Sequence, residues 1–413
     1  MKIGLLSYRS NPFSGGQGIY VKHLSHALAK LGHDVDVISG PPYPELSDSV
    51  NLIKIPSLNL FELEDGERLK SFRLKFLSDS ANFIEWVGVL SGGFPEPFAF
   101  GKRVERFLRR EGSNYDVIHD NQSLCYSLIN IQKDFPLVTT IHHPITRDHR
   151  LELEAAKNWK ERLSTNRWHS FLKMQKKVAP KLNNIICPSN QSKNDVIQEF
   201  KVKEENLDVV LNGIDLQGFK KNENISAIPY RIITTASADV PLKGLRFLID
   251  AMKEIVEKFN KVHLVVIGKA KEDGEIKNQI SKLKLEDKVS FHSGLTQQEV
   301  VSLYCSSHIS VIPSLYEGFG FGAGEAMACG LPLISTQSGG LKEVIGEDAV
   351  IIEAGSSKAI AQAVKELFMD KEKQIELSRL GRERMEKEFN WMKAAEGYVD
   401  IYTKAIESSK NNL

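Results

Sequence analysis

The sequence predicts an α/β protein with two Rossmann-like domains, each a parallel sheet flanked by helices. Strand-like apolar runs alternate with helical patterns along almost the whole chain, which is typical of βαβ units. The alternation occurs twice in 413 residues, a length that accommodates two or three domains with their own cores. Because ligands of such sheets bind at the carboxyl ends of the strands, functional residues are expected in the loops that follow them.

The first half of the chain is expected to form the N-terminal sheet. Its predicted strands cover residues 3–7, 34–38, 117–119, 137–141 and 184–187. A helix over residues 20–31 repeats apolar residues at helical spacing. It ends at Gly32, because glycine is favoured just after the last helical residue.

The second half is expected to form the C-terminal sheet. Its predicted strands cover residues 231–235, 263–267, 289–292, 309–312, 333–335 and 349–352. Helices are predicted between them over residues 245–258, 275–283, 296–305 and 358–368. The domain boundary is expected near residue 205, which gives an N-terminal domain of residues 1–205 and a C-terminal domain of residues 206–392. The polar stretch over residues 220–226 is another possible joint.

Composition and charge exclude several classes of protein. The chain is 41% hydrophobic and 26% charged, as a soluble globular protein is, and its net charge of +1 gives no global attraction for nucleic acid. The four cysteines contain no C-x-x-C pair, so reduced, buried thiols are expected. No apolar run approaches the roughly 20 residues that span a bilayer, and no signal peptide precedes the first strand, so a cytoplasmic location is expected.

The most informative segment is SLYEGFGFGAGEAMACGLP, residues 314–332. Glu317 and Glu325 stand eight positions apart with four glycines between them, after a buried strand and at the start of a helix over residues 321–329. A glycine-rich loop at a helix N-terminus presents backbone N–H groups where the helix dipole favours negative charge. Glu317 on the loop can reach a bound hydroxyl, and Glu325 inside the helix start is well placed for a vicinal diol such as a ribose.

A second glycine-rich loop, PFSGGQG over residues 12–18, follows the first strand. Gly15 and Gly16 would let backbone amides approach a phosphate or a sugar, although a plain structural turn is the alternative. The dinucleotide fingerprint differs from this loop, because Val21 takes the place of the third glycine and the second strand runs into Ser39, where an acidic residue is required. A nicotinamide site is therefore not expected.

Histidines follow two neighbouring strands of the first half. The segment TTIHHP brings His142 and His143 to the carboxyl end of its strand, and His119 with Asp120 forms a second cluster one strand away. A metal site is the alternative interpretation. It is not favoured, because no second carboxylate or cysteine stands at a recognisable ligand spacing.

Two segments depart from the regular alternation. Residues 58–100 are rich in aromatic residues, glycine and proline, and such a long connection is often functional. In residues 146–182, Lys and Arg outnumber Asp and Glu by ten to four, with Trp159, Trp168 and Phe171 among them. This stretch is either a solvated helix face or a surface attracted to anionic lipid.

The pattern E-G-F-G-x-x-x-x-E-A-M-A-C-G-x-P, which begins at Glu317, closely resembles the nucleotide-sugar signature of the family 4 retaining glycosyltransferases. The N-terminal P-x-S-G-G loop, the T-x-H that ends at His142 and the N-G-x-D-x-x-x-F that begins at Asn212 are similar to other segments of that family. The resemblance implies the GT-B fold, with two facing domains and a cleft between them. It also implies that a helix over residues 391–406 crosses back, adding residues 393–413 to the N-terminal, acceptor-side domain.

The resemblance further implies retaining, metal-independent transfer of a hexosyl group from a nucleoside diphosphate sugar to a hydroxyl of a glycan or a lipid-linked acceptor. The departing phosphate oxygen would accept the proton in a front-face attack, and no cofactor beyond the donor is implied. The expected partners are the donor, the acceptor and the anionic inner face of a membrane. Nucleic acid is not an expected partner. A sugar-phosphate synthase or phosphorylase on the same fold and a catalytically silent nucleotide-sugar-binding subunit are the alternatives.

The resemblance assigns roles to individual residues. His142 and Glu317 would contact the donor sugar, Lys243 the diphosphate and Glu325 the ribose. The other donor-binding residues implied are Gly15, Gly16, Ser237, Gly268, Gly318, Phe319, Gly320 and Phe321. The chain departs from the family where an arginine usually joins the lysine, because Ser237 and Ala238 stand there; Arg246 is a conceivable substitute.

Overall fold

The structure is a computed structural model that describes residues 1–11, 16–60, 63, 65–76, 79–236, 240–272 and 274–410. The chain divides into two compact units. Unit 1 comprises Met1–Leu211 and Met392–Leu413, and unit 2 comprises Asn212–Trp391.

Unit 1 is built on a parallel sheet of seven strands. They are β1 (Lys2–Ser7), β2 (Asp34–Ser39), β3 (Asn51–Lys54), β4 (Val117–Asn121), β5 (Leu137–Thr140), β6 (Ile185–Cys187) and β7 (Leu207–Val209). Their order across the sheet is β3-β2-β1-β4-β5-β6-β7, so the winding direction reverses between β1 and β4. Such a reversal opens a crevice at the carboxyl ends of the two strands, where ligands bind in open α/β sheets.

Helices connect these strands. They are α1 (Gly16–Lys30), α2 (Asp65–Lys70), α3 (Ser80–Leu90), α4 (Glu96–Glu111), α5 (Leu128–Asp134), α6 (Thr146–Ala155), α7 (Trp159–Trp168), α8 (Leu172–Val178) and α9 (Asn190–Phe200). The described part of residues 58–100 is more regular than the sequence suggests, because it contains α2, α3 and the start of α4. Glu85 on α3 is 2% exposed and its carboxylate lies 2.6 Å from Arg103 Nη2 on α4. This buried ion pair fixes α3 against α4.

Unit 2 contains a parallel sheet of six strands. They are β8 (Arg231–Thr235), β9 (His263–Ile267), β10 (Val289–His292), β11 (Ile309–Ile312), β12 (Leu333–Ser335) and β13 (Val350–Ile351). The order is β10-β9-β8-β11-β12-β13, so the reversal in this sheet lies between β8 and β11.

The helices of unit 2 cover its sheet with apolar faces. They are α10 (Leu245–Lys258), α11 (Glu275–Lys282), α12 (Gln297–Cys305), α13 (Phe321–Ala328), α14 (Leu341–Ile345), α15 (Ser357–Met369) and α16 (Lys371–Glu388). The two ends of unit 2 meet, because Ile214 N donates to Phe389 O at 2.8 Å. A Cβ on Gly213 would lie 2.4 Å from Trp391 N, so only glycine allows this approach.

The last helix, α17 (Trp391–Lys410), returns the chain to unit 1. Its buried Tyr402 hydroxyl lies 2.7 Å from His119 Nδ1, and its Tyr398 hydroxyl lies 3.3 Å from Thr140 Oγ1. His119 Nε2 lies 2.8 Å from the same Thr140 hydroxyl. Burial lowers the pKa of His119 to about 3, so the ring stays neutral and serves to join α17 to the sheet.

The elements predicted from the sequence form within about two residues of their expected bounds, except that α1 begins four residues before the expected start at 20 and α17 ends four residues after the expected end at 406. Two short strands, β3 and β7, were not predicted. Both are edge strands with few buried side chains, so their apolar signal is weak. β7 pairs with β6, so the first sheet extends to Val209, and the first segment of unit 1 ends at Leu211, whereas the boundary was expected near 205. All four cysteines are buried and free.

Candidate active site

Lys243 and Glu317 meet at the winding reversal of unit 2. Lys243 ends the turn Pro241–Lys243 that follows β8, and Glu317 lies in the loop that follows β11. Lys243 Nζ lies 2.7 Å from Glu317 Oε1, and Ser314 Oγ donates to the same oxygen at 2.8 Å. The side chains of the pair are 33% and 16% exposed. The structure therefore brings together two of the three residues to which the sequence assigned a catalytic role.

The two loops are joined through their backbones. Gly244 has a φ of +63°, and a Cβ there would lie 2.0 Å from Pro313 O. Leu315 N donates to Leu242 O at 2.7 Å. Glycine at position 244 is required both for the left-handed conformation and for this close approach. These contacts place the ammonium and the carboxylate within hydrogen-bonding distance.

The glycine-rich loop is positioned by two glycines in the loop that follows β12. Cβ atoms on Gly339 and Gly340 would lie 2.1 Å from Glu317 O and 2.4 Å from Gly318 O, respectively. Gly340 N donates to Glu317 O at 2.7 Å. The loop then enters α13 through Gly320, whose φ is +113° and which offers no capping side chain. The first-turn N–H groups of α13 are therefore suited to an anionic ligand.

The two phenylalanines of the loop differ in their surroundings. Phe319 is 5% exposed and its ring centroid lies 5.0 Å from Phe321 and 6.0 Å from Phe389. Its side chain therefore packs in the core and anchors the loop, and only its backbone remains for a ligand. Phe321 is half-buried and stacks on Trp391 with a centroid distance of 6.5 Å.

Glu325 lies in α13 and is 9% exposed. Burial raises the pKa of its carboxyl to about 8, and the charge of Asp215 adds to this effect, while a hydrogen bond from Tyr304 opposes it. The Tyr304 hydroxyl lies 3.5 Å from Glu325 Oε2 and 2.7 Å from Thr235 Oγ1 at the end of β8. Sequence reasoning missed Tyr304, because α12 gives no local sign that it packs beneath α13.

The remaining residues expected to bind the donor are placed as follows. Gly268 follows β9, the neighbour of β8, and its N–H donates to His292 O at the end of β10 at 2.8 Å, on the side of β9 away from the reversal. Gly318 lies in the loop beside Glu317 and is half-buried. Ser237 lies outside the described residues. Arg246 is exposed and its guanidinium lies 4.5 Å from the Phe247 ring centroid, so no observed contact joins it to Lys243.

His142 occupies the corresponding edge of unit 1. Its backbone N donates to Gln122 Oε1 at 2.6 Å, its Nε2 lies 2.7 Å from Asn121 Oδ1, and its ring meets Tyr20 edge to face at 4.6 Å. Burial, with a smaller contribution from His143, lowers the pKa of His142 to about 3. Because an amide oxygen only accepts, Nε2 carries the hydrogen, and Nδ1 keeps a lone pair that can accept a hydrogen bond from a hydroxyl.

Asp120 and His143, from the two histidine clusters, have partners within the protein. Asp120 is buried and accepts hydrogen bonds from Ser123 N at 3.0 Å and Leu124 N at 3.3 Å, which fixes the turn after β4. Burial raises the pKa of Asp120 to about 6. His143 Nε2 lies 3.3 Å from Asp148 Oδ2. In the part of the chain that the structure describes, no group of three or more His, Cys, Asp or Glu side chains is arranged to hold a metal ion.

The first loop is only partly described. Gly15 lies outside the described residues, whereas Gly16 is exposed and is the first residue of α1. Gly18 contacts the chain before it, since a Cβ there would lie 2.1 Å from Asn11 O.

Comparisons with known proteins match the whole chain. The family model Glycosyltransferase Family 4 matches residues 14–217, and the model Glycosyl transferases group 1 matches residues 218–384. The MMP alpha-(1->4)-mannosyltransferase of Mycolicibacterium hassiacum is 41% identical over 98% of both chains. The chain belongs to the group 1 glycosyl transferases. The expected family is thereby confirmed, and the chain is a hexosyltransferase.

Solved structures show that this glycosyltransferase has the GT-B fold. Sucrose-phosphate synthase from Thermosynechococcus elongatus superimposes with a TM-score of 0.74 at 22% identity, covering 98% of this chain and 99% of that chain. Anabaena HepE in complex with UDP-glucose gives a TM-score of 0.69 at 18% identity and covers 100% of both chains. The predicted fold class is confirmed.

The buried Glu325 of this glycosyltransferase should make its stability depend on pH. The folded protein keeps a proton on Glu325 up to about pH 8, whereas the unfolded chain releases it near the ordinary value of 4.5. Since the unfolded state binds fewer protons in this window, the free energy of unfolding should fall by up to about 1.4 kcal/mol per pH unit as pH rises. Glu325→Gln should remove this contribution. Urea unfolding at about pH 5.5 and about pH 7.5 measures it.

Glu353→Gln is the matched control, because Glu353 is exposed. Equal pH dependence in the parent protein and Glu325→Gln would contradict the raised pKa.

Proposed function

We propose that this chain transfers a mannosyl group, with retention of configuration, from a nucleoside diphosphate mannose to a carbohydrate hydroxyl and forms an α-(1→4) linkage. The observation that carries the choice of sugar is the 41% identity to the M. hassiacum mannosyltransferase across 98% of both chains. The pairing of Lys243 with Glu317 at the winding reversal of unit 2 supports unit 2 as the donor-binding unit.

The donor diphosphate would bind at Lys243 and the N-terminus of α13. The Lys243 ammonium is held by Glu317 at the winding reversal, so contacts within the protein position this charge for the donor. As the sugar leaves, negative charge grows on the diphosphate, and a preorganised ammonium with backbone N–H donors stabilises that charge. These groups can perform this task without a metal ion, which we include in the proposal.

The sugar and the ribose would be oriented by carboxyl groups. Glu317 uses Oε1 for Lys243 and Ser314, which leaves Oε2 for a sugar hydroxyl. Glu325 would bind the ribose diol, and its raised pKa implies that it can donate as well as accept. His142, neutral and with Nδ1 as an acceptor, would contact a hydroxyl of the donor sugar.

The proton of the acceptor hydroxyl would pass to an oxygen of the departing diphosphate. The new glycosidic bond would form on the face from which the diphosphate leaves, and this accounts for retention without a covalent intermediate on the protein. The leaving group then carries the proton away, so no side chain need act as the base.

A donor and acceptor screen tests this proposal. With an α-mannose oligosaccharide as acceptor, GDP-mannose should be consumed and UDP-glucose and UDP-N-acetylglucosamine should not. Proton NMR of the product should show a new α-(1→4) mannosyl linkage. Turnover that requires a sugar phosphate as acceptor would identify a synthase instead, and nucleotide binding without turnover would identify a silent subunit.

Lys243→Ala should lower kcat on the order of a hundredfold or more, because removing one preorganised charge contact to the transition state has that effect. Steady-state kinetics with the donor that the screen identifies measure the loss. Lys253→Ala is the control, because Lys253 is exposed on α10. A Lys243→Ala rate within about threefold of the parent rate would show that another cation holds the diphosphate.

We also propose that unit 1 binds the surface of an anionic membrane through α7. This helix buries none of its residues, and Trp159 and Trp168 are 69% and 40% exposed. Lys160 Nζ lies 5.9 Å from the Trp159 ring centroid. Exposed aromatic rings among cations are the combination that peripheral membrane binding requires. In the described residues, no helix is both long and apolar enough to cross a bilayer.

Flotation with anionic vesicles tests the membrane proposal. Binding should weaken with added salt, since screening shortens the reach of exposed charges to about 8 Å at physiological ionic strength. Trp159→Ala with Lys160→Ala should reduce binding. Ile375→Ala, which removes an exposed apolar side chain of unit 2, should not. Absence of binding by the parent protein at low salt would make α7 a solvated helix.

A further inference from the structure

A cavity of about 460 Å³ lies in unit 1 among α6, α7, α8 and the end of α9. Its wall includes Arg150 of α6, Lys173 and Lys176 of α8, and Glu199 of α9. The residues that line it are different from those that surround His142, Lys243 and Glu317. Its volume falls in the range of roughly 300–1,000 Å³ that ligand pockets occupy.

The charges of the cavity wall are unbalanced. Glu199 Oε1 lies 2.6 Å from Arg150 Nη2. Burial favours the neutral form of Glu199, but Arg150, together with Thr146 and the charge of Lys176, outweighs it and lowers its pKa, so the carboxylate is ionised and paired. Within the described residues, neither Lys173 nor Lys176 lies in an ion pair. Arg150, Lys173 and Lys176 therefore outnumber the one carboxylate of the cavity wall, Glu199, by three positive charges to one negative charge.

Two histidines add hydrogen-bonding groups to the same wall. The rings of His149 and His169 lie side by side with a centroid distance of 4.8 Å. His149 Nε2 contacts Asn166 Oδ1 at 2.9 Å, and His169 Nδ1 contacts Thr165 O at 3.0 Å, with a Glu152 carboxylate oxygen 3.8 Å away. Each ring keeps a second nitrogen that forms no hydrogen bond among the described residues.

We propose that this cavity binds a phosphate-type oxyanion carried by a molecule of about monosaccharide size. Lysine is a common phosphate ligand as a point charge, and the two unpaired ammonium groups match the charge of a phosphate dianion. Leu153 and Leu172 supply an apolar part of the wall against which the carbon skeleton of a sugar can pack. The oxyanion could belong to a free sugar phosphate or to a lipid headgroup. The proposal goes beyond mannosyl transfer and does not depend on it.

The matched control lies on the same helix. Lys177 is adjacent to Lys176 in sequence and is also exposed, but it does not line the cavity. A double variant, Lys173→Gln with Lys176→Gln, removes the two cavity charges, and Lys177→Gln removes one charge outside the cavity. All three positions are exposed, so the variants should fold, which circular dichroism checks.

Calorimetric titration of the full chain with mannose 6-phosphate, inorganic phosphate and unphosphorylated mannose tests the proposal, with flotation on anionic-lipid vesicles as a further arm. The parent protein should bind a phosphate-bearing probe saturably and mannose not at all. The double variant should lose about tenfold or more in affinity, the usual effect of losing a charged hydrogen bond, while Lys177→Gln should match the parent. A dependence on Lys173 and Lys176 that occurs only with vesicles would assign the oxyanion to a lipid headgroup.

Two outcomes would overturn the proposal. One is the absence of saturable binding to the soluble phosphate probes together with no effect of the double variant on vesicle binding. The other is an equal loss in Lys177→Gln and the double variant, which would show that the helix attracts anions through diffuse surface charge. Because these readouts measure binding alone, the proposal can fail while mannosyl transfer stands, and the reverse also holds.

Discussion

Close approach between backbones is the constraint on which the proposed donor site depends. At Gly244 a side chain would collide with Pro313 O, and at Gly339 and Gly340 side chains would collide with the carbonyl oxygens of Glu317 and Gly318. Three strand-end loops are therefore packed at a spacing that only glycine allows. The packing of these loops fixes the backbone at Lys243 and Glu317, and this brings their side chains within reach of each other. The ion pair is the consequence of this packing, and its exposure argues against a large contribution of its own to stability.

The two units use the same topology for different electrostatics. Each sheet reverses its winding once, and each reversal lies beside polar residues at strand ends. In unit 2 the residues at the reversal are charged and partly solvated, which suits a ligand that carries phosphate. In unit 1 burial keeps both His119 and His142 neutral, so these two rings offer hydrogen bonds without a formal charge. Neutral groups of this kind suit the recognition of hydroxyls.

Local signals in the sequence predicted most of the fold and identified the residues that the structure brings together at the candidate site of unit 2. The glycine spacing, the two glutamates and Lys243 could be identified from the sequence, because each lies beside a predicted strand or helix start. Tyr304, Asn121 and Tyr20 were missed, since their roles arise from packing between elements far apart in the chain. Phe319 shows the opposite limit: it belongs to the motif, yet its side chain packs in the core. The cavity beside Lys173 could not be predicted either, because it requires four helices to be placed around a common space.

The meeting of the two ends of unit 2 has a mechanical consequence. Unit 1 holds both termini of the chain, and unit 2 is inserted between Leu211 and Met392. Because Ile214 is hydrogen-bonded to Phe389, the backbone enters and leaves unit 2 side by side. Tension applied to the two chain termini would therefore act on the elements of unit 1 and on the hydrogen bond between Ile214 and Phe389 before it acted on the second sheet. Because unit 2 is inserted in this way, its sheet would bear such a force last.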